Sequence, residues 1–232
     1  MEIQDAPAAY FFKLWPKIEA NWIRIALGGG IVIVAAGLIS FFSWQRNQNE
    51  IAAGKTLTQF MMSATRNTTG NELVDGLLKI AGDYRNTSAG QMAWLQGAAL
   101  LFAAGRYADA QTQFQKFLDA HPDGFFSAQA ALGVGTSLDA QRKIELAADA
   151  YQRAIRNPSD VLAANSAKYA LAQIDERQNK FSDALNLYEE VARNNPNSSL
   201  GSEAGLRAME LKMKQPSASP STAPAAPLKS NH

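Results

Sequence analysis

The hydrophobic and polar positions divide the chain into two patterns. From Ile25 to Trp44 the sequence IALGGGIVIVAAGLISFFSW runs for 20 residues without a charge. From residue 46 onward apolar residues recur at intervals of three and four, the period of an amphipathic helix, and alternating strand-like runs are lacking. The pattern predicts an all-α protein in which one apolar helix is followed by a series of amphipathic helices.

The apolar run has the length of a membrane crossing. At about 1.5 Å per helical residue it extends roughly 30 Å, the thickness of the hydrocarbon core of a bilayer. Tryptophans at positions 22 and 44 lie where aromatic residues concentrate at membrane interfaces. We therefore predict a transmembrane helix over residues 23–44. Three consecutive glycines would let another membrane helix approach closely and are candidate contact positions: Gly28, Gly29 and Gly30.

Two other interpretations of this run stay open. A cleaved signal peptide would carry a shorter apolar stretch, whereas here the run continues through LISFFSW beyond the small residues at 35–37. A buried soluble helix would have to be covered on every side, because the run is apolar all round. Both fit the run less well than a spanning helix does.

The charges on either side of the run predict its orientation. Lys13, Lys17 and Arg24 precede it, and Arg46 and Lys55 follow it. Because basic residues favour the cytoplasmic side, this modest excess predicts a cytoplasmic N-terminus and an exported C-terminal part.

Three segments of the second pattern align with one another: 105–122, 142–158 and 179–196. Each has a small residue in its first turn, and these residues, Ala110, Ala147 and Ala184, are spaced at intervals of 37. An aromatic residue follows four positions later, and a proline closes each segment. A small residue lets two antiparallel helices approach, the aromatic ring fills the space between hairpins, and proline ends the second helix.

These segments resemble tetratricopeptide repeats, helical hairpins of about 34 residues. The first copy departs from the family pattern at Gly97 and Phe117, where the pattern has Leu and Ala. The resemblance covers about 90–196 and implies an α-solenoid. It assigns repeat packing to ten positions: Trp94, Ala98, Ala110, Phe114, Gly135, Ala147, Tyr151, Ala172, Ala184 and Tyr188.

In such arrays the first helix of each hairpin lines a concave groove that receives a partner protein. This implies eight candidate groove residues in the second and third repeats: Gln129, Leu132, Thr136, Asp139, Ser166, Tyr169, Gln173 and Arg177. In the first repeat the same face presents Met92, Leu95 and Phe102, of which Leu95 and Phe102 are open to being covered by the helix over 71–83.

The predicted fold is thus all-α, a tetratricopeptide-like α-solenoid of helical hairpins preceded by one transmembrane helix. We expect Asn71 to cap the second helix of a divergent first hairpin, a final helix to cover the last apolar face, and the Pro/Ser/Ala-rich tail to be disordered. The predicted organisation is a cytoplasmic segment 1–22, the membrane helix 23–44, the divergent hairpin 45–89, three repeats over 90–196, a capping helix 197–214 and the tail 215–232.

This order of segments resembles the family of the ancillary subunit of the SecYEG translocon. The resemblance implies a single-pass protein of the bacterial inner membrane, with a periplasmic C-terminal domain that binds translocon subunits, periplasmic chaperones or client segments. A tetratricopeptide scaffold of another cell-envelope complex, for cell division or outer-membrane assembly, is the alternative.

Composition argues against catalysis and nucleic-acid binding. The chain has no cysteine and two histidines, and neither histidine has the spacing of a metal motif. The net charge of +1 leaves no strongly basic character for a nucleic acid. We therefore predict no enzyme activity, no cofactor, no metal and no small-molecule substrate, with an uncharacterised hydrolase as a remote alternative.

Overall fold

The structure, a computed structural model, describes residues 6–64, 69–157 and 160–214, except for the side chains of residues 6–22, 24–26 and 29. All regular secondary structure in these residues is helical. The helices are α1 (Ala6–Ala64), α2 (Gly70–Asp83), α3 (Ser88–Ala103), α4 (Tyr107–Ala120), α5 (Ser127–Ala140), α6 (Ile144–Ile155), α7 (Val161–Arg177), α8 (Phe181–Asn194) and α9 (Ser199–Lys214).

Helix α1 is continuous through both predicted boundaries, at 22/23 and at 44/45. The sequence after Trp44, QRNQNEIAA, contains neither proline nor glycine, so nothing in it interrupts the backbone hydrogen bonds of the helix. The apolar run and the first helix of the array are therefore one element and not two. The predicted tail 215–232 lies outside the described residues.

Across the described part of the chain, no helix combines the length and the hydropathy that a bilayer crossing requires. The predicted crossing 23–44 includes residues 24–26 and 29, whose side chains are outside the described residues.

Successive helices pack as antiparallel neighbours from α2 to α9. In addition, α1 contacts α3, α3 contacts α5, α5 contacts α7 and α7 contacts α9, whereas α2, α4, α6 and α8 do not contact one another within the described residues. We call the two sets the first helices and the second helices. The first helices therefore line the inner face of a solenoid, and the second helices form its outer face.

The C-terminal part of α1 forms the first hairpin with α2. The ring of Phe60 lies against Gly76 so closely that a Cβ there would come within 2.1 Å of it. Ala53 and Leu57 are buried, and Leu57 packs in a cluster with Leu77 of α2 and Ala93 of α3. Ile51 and Met61, two other apolar residues of this part of α1, are exposed.

The predicted N-cap of α2, Asn71, is wrong. Thr69 caps the helix: its hydroxyl accepts from the backbone N–H of Glu72, and the Glu72 carboxylate accepts from the backbone N–H of Thr69. This reciprocal capping box satisfies two N–H groups, whereas a cap at Asn71 has no glutamate three residues later.

The turn between the two helices of each repeat contains one residue in the left-handed conformation. These residues are Gly105, Arg142 and Asn179, with φ of 76°, 60° and 61°, and they follow one another at intervals of 37. The residue after each, Arg106, Lys143 or Lys180, returns a backbone hydrogen bond to the end of the first helix. The backbone conformation of these turns therefore repeats at the same 37-residue interval as the sequence.

The turns between hairpins keep the same interval. Thr87 and Ser198, three intervals apart, each accept from a backbone N–H three residues on, at Gly90 and Gly201. A Cβ at Gly90 would meet the carbonyl oxygen of Tyr84 at 2.0 Å, and the corresponding position of α9 is equally closed. Helix α9 therefore begins as the first helix of a further repeat.

The core is built from a small residue of each first helix facing an aromatic ring of the next second helix. Ala98, Gly135 and Ala172 occupy the small position, again at intervals of 37. A Cβ at Gly135 would come within 2.5 Å of the ring of Tyr151. The aromatic positions, Phe114, Tyr151 and Tyr188, are all buried, and in the first hairpin Leu77 takes the corresponding place.

Arg142 in its left-handed turn generates a stability prediction. Gly105 and Asn179 occupy equivalent turns at lower conformational cost, because glycine has no Cβ and asparagine tolerates this region. We expect Arg142→Gly to raise the free energy of unfolding by about 0.5–1 kcal/mol and Gly105→Ala to lower it by about 1 kcal/mol. Urea unfolding measures both. If both substitutions changed the free energy of unfolding in the same direction, the left-handed conformation assigned to these two residues would be contradicted.

The tight contact at Gly135 generates a second prediction. Gly135→Ala should lower the free energy of unfolding by about 1–3 kcal/mol, because the methyl group would overlap the Tyr151 ring. Gly205 in α9 is the matched control, since a Cβ there would make an ordinary contact of 3.8 Å with Ala192. Gly205→Ala should stabilise the protein by about 0.5–1 kcal/mol. Equal effects in urea unfolding would argue against close packing at Gly135.

Candidate partner-binding groove

The inner face of the solenoid is the candidate site, because the first helices α5, α7 and α9 present polar side chains there side by side. Residues one interval of 37 apart stand at the same height on adjacent first helices. Two side-chain contacts link these helices close to that register, one joining α5 to α7 and one joining α7 to α9.

The contact between α5 and α7 is an ion pair. The guanidinium Nη2 of Arg177 donates to Oδ1 of Asp139 at 2.7 Å. Both residues lie in the last turn of their helices, so the pair links the C-terminal ends of α5 and α7. Arg177 is the more exposed partner and has a face open to solvent. The structure therefore brings together two of the residues that the sequence placed in the groove.

The contact between α7 and α9 involves Tyr169. Its hydroxyl donates to Oε1 of Glu203 at 2.7 Å, and its ring packs edge-on against Tyr188 with centroids 5.4 Å apart. Tyr169 is buried, because α9 lies over it. The prediction that Tyr169 lines an open groove is therefore wrong: Tyr169 supports the surface from below, and Glu203 is the exposed member of the pair.

A cavity of about 430 Å³ lies between α7, α8 and α9. Its walls are Gln173, Glu176, Arg177, Tyr188 and Arg207. The hydroxyl of Tyr188, at the bottom of the cavity, donates to Oε2 of Glu176 at 3.1 Å. The cavity thus offers an amide and two guanidinium groups beside a carboxylate that already has a hydrogen-bond donor.

Both tyrosine hydroxyls of this region remain protonated donors. Burial raises the pKa of Tyr169, and the hydrogen bond to Glu203 raises it further. Burial also raises the pKa of Tyr188, with the hydrogen bond to Glu176 acting in the same direction. Neither hydroxyl therefore loses its proton near neutral pH, which makes both of them positioning groups for the acidic residues of the groove.

The other predicted groove residues are spread along the same face. Gln129 is exposed at the start of α5, and Ser166 is half-buried one interval later in α7. Leu132 is half-buried against the core, so it contributes an edge of apolar surface. The Thr136 hydroxyl donates to the carbonyl oxygen of Gly133 at 3.1 Å and is already engaged within its helix.

The first repeat presents a less polar surface. Met92 is exposed, whereas Leu95 is buried in the main core cluster. Phe102 is half-buried against the ring of Tyr107, with centroids 5.1 Å apart. Phe102 also packs against the core cluster that contains Val74 of α2, so α4 and the helix over 71–83 both contribute to its surroundings.

Sequence reasoning missed the contribution of α9 to the groove. Glu203 stands one interval of 37 beyond Ser166, and Arg207 lies one turn further along α9. Adding 37 to the groove positions of α7 would have identified this face of α9. The sequence predicts a capping helix at this position instead, because the last apolar face of a solenoid needs a cover.

Within the described residues, no three His, Asp or Glu side chains come together in a way that would hold a metal ion. His121 ends α4, with its ring 5.0 Å from that of Phe117. Burial lowers the pKa of this histidine, and Arg85 lowers it further. It lies outside the groove.

Comparison with known families identifies the repeats. Residues 95–161 and 166–198 each match the tetratricopeptide repeat family. No curated protein matches the chain significantly. Tetratricopeptide arrays are extended protein-binding surfaces and are typically non-catalytic scaffolds, so this part of the chain is a protein–protein interaction module.

The contacts of Tyr169 and Arg177 predict different costs of substitution. Tyr169→Phe should lower the free energy of unfolding by about 1 kcal/mol, because it removes the hydroxyl that bonds to Glu203 and also interacts with Arg207. Tyr169→Ala should cost about 3–5 kcal/mol through the cavity it leaves. Arg177→Ala removes an exposed ion pair and should cost at most about 1 kcal/mol.

Urea unfolding of the three variants checks this order. A change of less than a few tenths of a kcal/mol for Tyr169→Phe would mean that the bond to Glu203 contributes nothing in solution. Because Arg177→Ala is expected to cost the least of the three, Arg177 is the better position for testing partner binding.

Proposed function

We propose that this protein is a membrane-tethered interaction module of the bacterial envelope, an accessory of the Sec translocon that holds periplasmic chaperones or client segments in its groove. The observation that carries the tether is the surface of α1. Ile31, Val32, Ile33 and Val34 are consecutive, and each is between 62% and 74% exposed.

Four consecutive helical residues point in four directions, because each is turned about 100° from the last. The described part of the chain therefore covers no side of α1 at this point. A helix that is apolar all round is stable in the core of a large protein or in a bilayer. Since the array packs only against the C-terminal part of α1, the bilayer is the environment that fits the apolar part.

The residues that follow this surface support the same assignment. Trp44 closes the apolar run, Arg46 follows it, and the sequence is polar up to Glu50, where contacts with α3 begin. Lys13, Lys17 and Arg24 precede the run and favour a cytoplasmic N-terminus. The array would then lie in the periplasm, only a few residues from the membrane surface.

A location close to the membrane would compensate for weak partner binding in the groove. A short tether raises the effective concentration of a module at its target to the millimolar range, so contacts that are weak in free solution still hold. The groove offers mixed charges and an open cavity rather than a deep apolar slot. Such a surface suits the transient capture of an extended or helical client segment.

Photo-cross-linking from α1 tests the translocon assignment. Gly28 and Gly54 both have open space where a side chain would begin, so a photoreactive residue fits at either without disturbing the chain. From Gly28, inside the apolar run, we expect adducts with membrane subunits of the translocon. From Gly54, at the start of the array, we expect no such adducts.

Adducts from Gly28 with subunits of another envelope complex would support the alternative scaffold and contradict the translocon assignment. Protease added to spheroplasts tests orientation independently. The array should be digested from outside, and its complete protection would contradict a periplasmic location.

Arg177→Glu tests the groove in the same cells. It should reduce cross-linking to the client or chaperone severalfold while leaving adducts from Gly28 unchanged, because it reverses a charge beside the cavity. Arg142→Glu is the matched control, since it reverses an exposed charge in a turn outside the groove. Equal effects of the two changes would argue against the groove.

A further inference from the structure

Two large apolar side chains are exposed at one edge of the solenoid. Phe125, just before α5, is 69% exposed, and Leu162, in the first turn of α7, is 70% exposed. They are one interval of 37 apart, so they occupy the same place on successive hairpins. Val161 beside Leu162 and Ile51, two intervals before Phe125, are exposed as well. We call the edge formed by these residues and the N-terminal ends of α3, α5 and α7 the entry edge.

The position of Phe125 is set by its surroundings. Its ring packs edge-on against the half-buried ring of Phe126, with centroids 5.1 Å apart. The turn before it is held by a backbone hydrogen bond from Gly124 to His121. A single exposed leucine is ordinary in a soluble protein, but apolar side chains held in register along one edge form a surface.

The direction of α1 shows where this edge faces. The carboxylate of Glu50 accepts from the backbone N–H of Ser88, the first residue of α3. Helices α1 and α3 run parallel, because each forms an antiparallel pair with α2. The pair of Arg177 and Asp139, at two C-terminal ends, shows the same for α5 and α7. The entry edge therefore lies on the side from which α1 enters the array.

The distance from the apolar run is short. Ile51 follows Trp44 by seven residues, which is about 10 Å along a helix. The headgroup region extends roughly 5–8 Å beyond the hydrocarbon core. If α1 crosses the membrane up to Trp44, the entry edge lies at the outer limit of the headgroups.

We propose that the entry edge docks on the surface of the same bilayer that α1 enters, with Phe125, Val161 and Leu162 inserted among the lipid headgroups. This inference rests on the proposed tether. Charged residues of both signs share the edge, among them Arg156, Asp123 and Asp160, so the contact depends on apolar side chains and not on net charge. A second attachment point would hold the groove at a fixed height above the membrane.

Because the chain has no cysteine, single-cysteine variants test this directly. Leu162→Cys places a fluorescent probe on the entry edge. Leu146→Cys is the matched control, an exposed leucine in the first turn of α6 at the opposite edge. Gly37→Cys reports on the apolar run, where a side chain has open space. Each full-length variant is labelled, reconstituted into vesicles of phosphatidylethanolamine and phosphatidylglycerol, and exposed to lipids brominated in the acyl chain.

We expect strong quenching of the probe at 37, and quenching at 162 severalfold greater than at 146. Quenching at 162 no greater than at 146, with the probe at 37 quenched, would overturn the docked edge and leave the tether intact. An unquenched probe at 37 would overturn the tether, and the docked edge with it.

A second substitution separates membrane docking from chance proximity. Phe125→Ser should reduce quenching at 162 severalfold, because it removes the neighbouring apolar anchor. Phe181→Ser, at an exposed phenylalanine on the opposite edge, should leave it unchanged. Equal effects of the two substitutions would contradict insertion of the entry edge.

Discussion

The architecture depends on one contact, a small residue of a first helix against an aromatic ring of the following second helix. At Gly135 the backbone comes so close to Tyr151 that even a methyl group has no room. Ala98 with Phe114, and Ala172 with Tyr188, occupy the same positions one interval before and after. This contact sets the distance between the helices, and its repetition at 37 residues sets the register of the whole array.

That register creates the groove. Because equivalent residues of successive first helices stand at the same height, side chains far apart in sequence become neighbours across the inner face. Arg177 reaches Asp139, and Tyr169 reaches Glu203, only because α5, α7 and α9 lie parallel and in step. The groove is thus a consequence of core packing, and changes at the small positions would displace its polar residues without touching them.

Helix α1 contains two segments with different surroundings. Its C-terminal part packs through Ala53 and Leu57 as the first helix of a hairpin, while its apolar run has no cover within the described chain. Because α1 is one continuous helix, the direction of its apolar run also determines which edge of the array faces back towards that run. Under the proposed tether, the rigidity of α1 places the groove relative to the membrane.

The sequence by itself determined the elements and their order, because helical periodicity, prolines and small-residue spacing are local properties that each segment carries. The cap of α2 is local as well, since Thr69 and Glu72 have the spacing of a capping box, whereas the continuity of α1 through both predicted boundaries was seen only in the structure. Only the tertiary structure decided which polar residues meet: it buried Tyr169 under α9 and made Glu203 and Arg207 part of the groove. Those contacts depend on how parallel helices stack, a relation between segments that no single segment encodes.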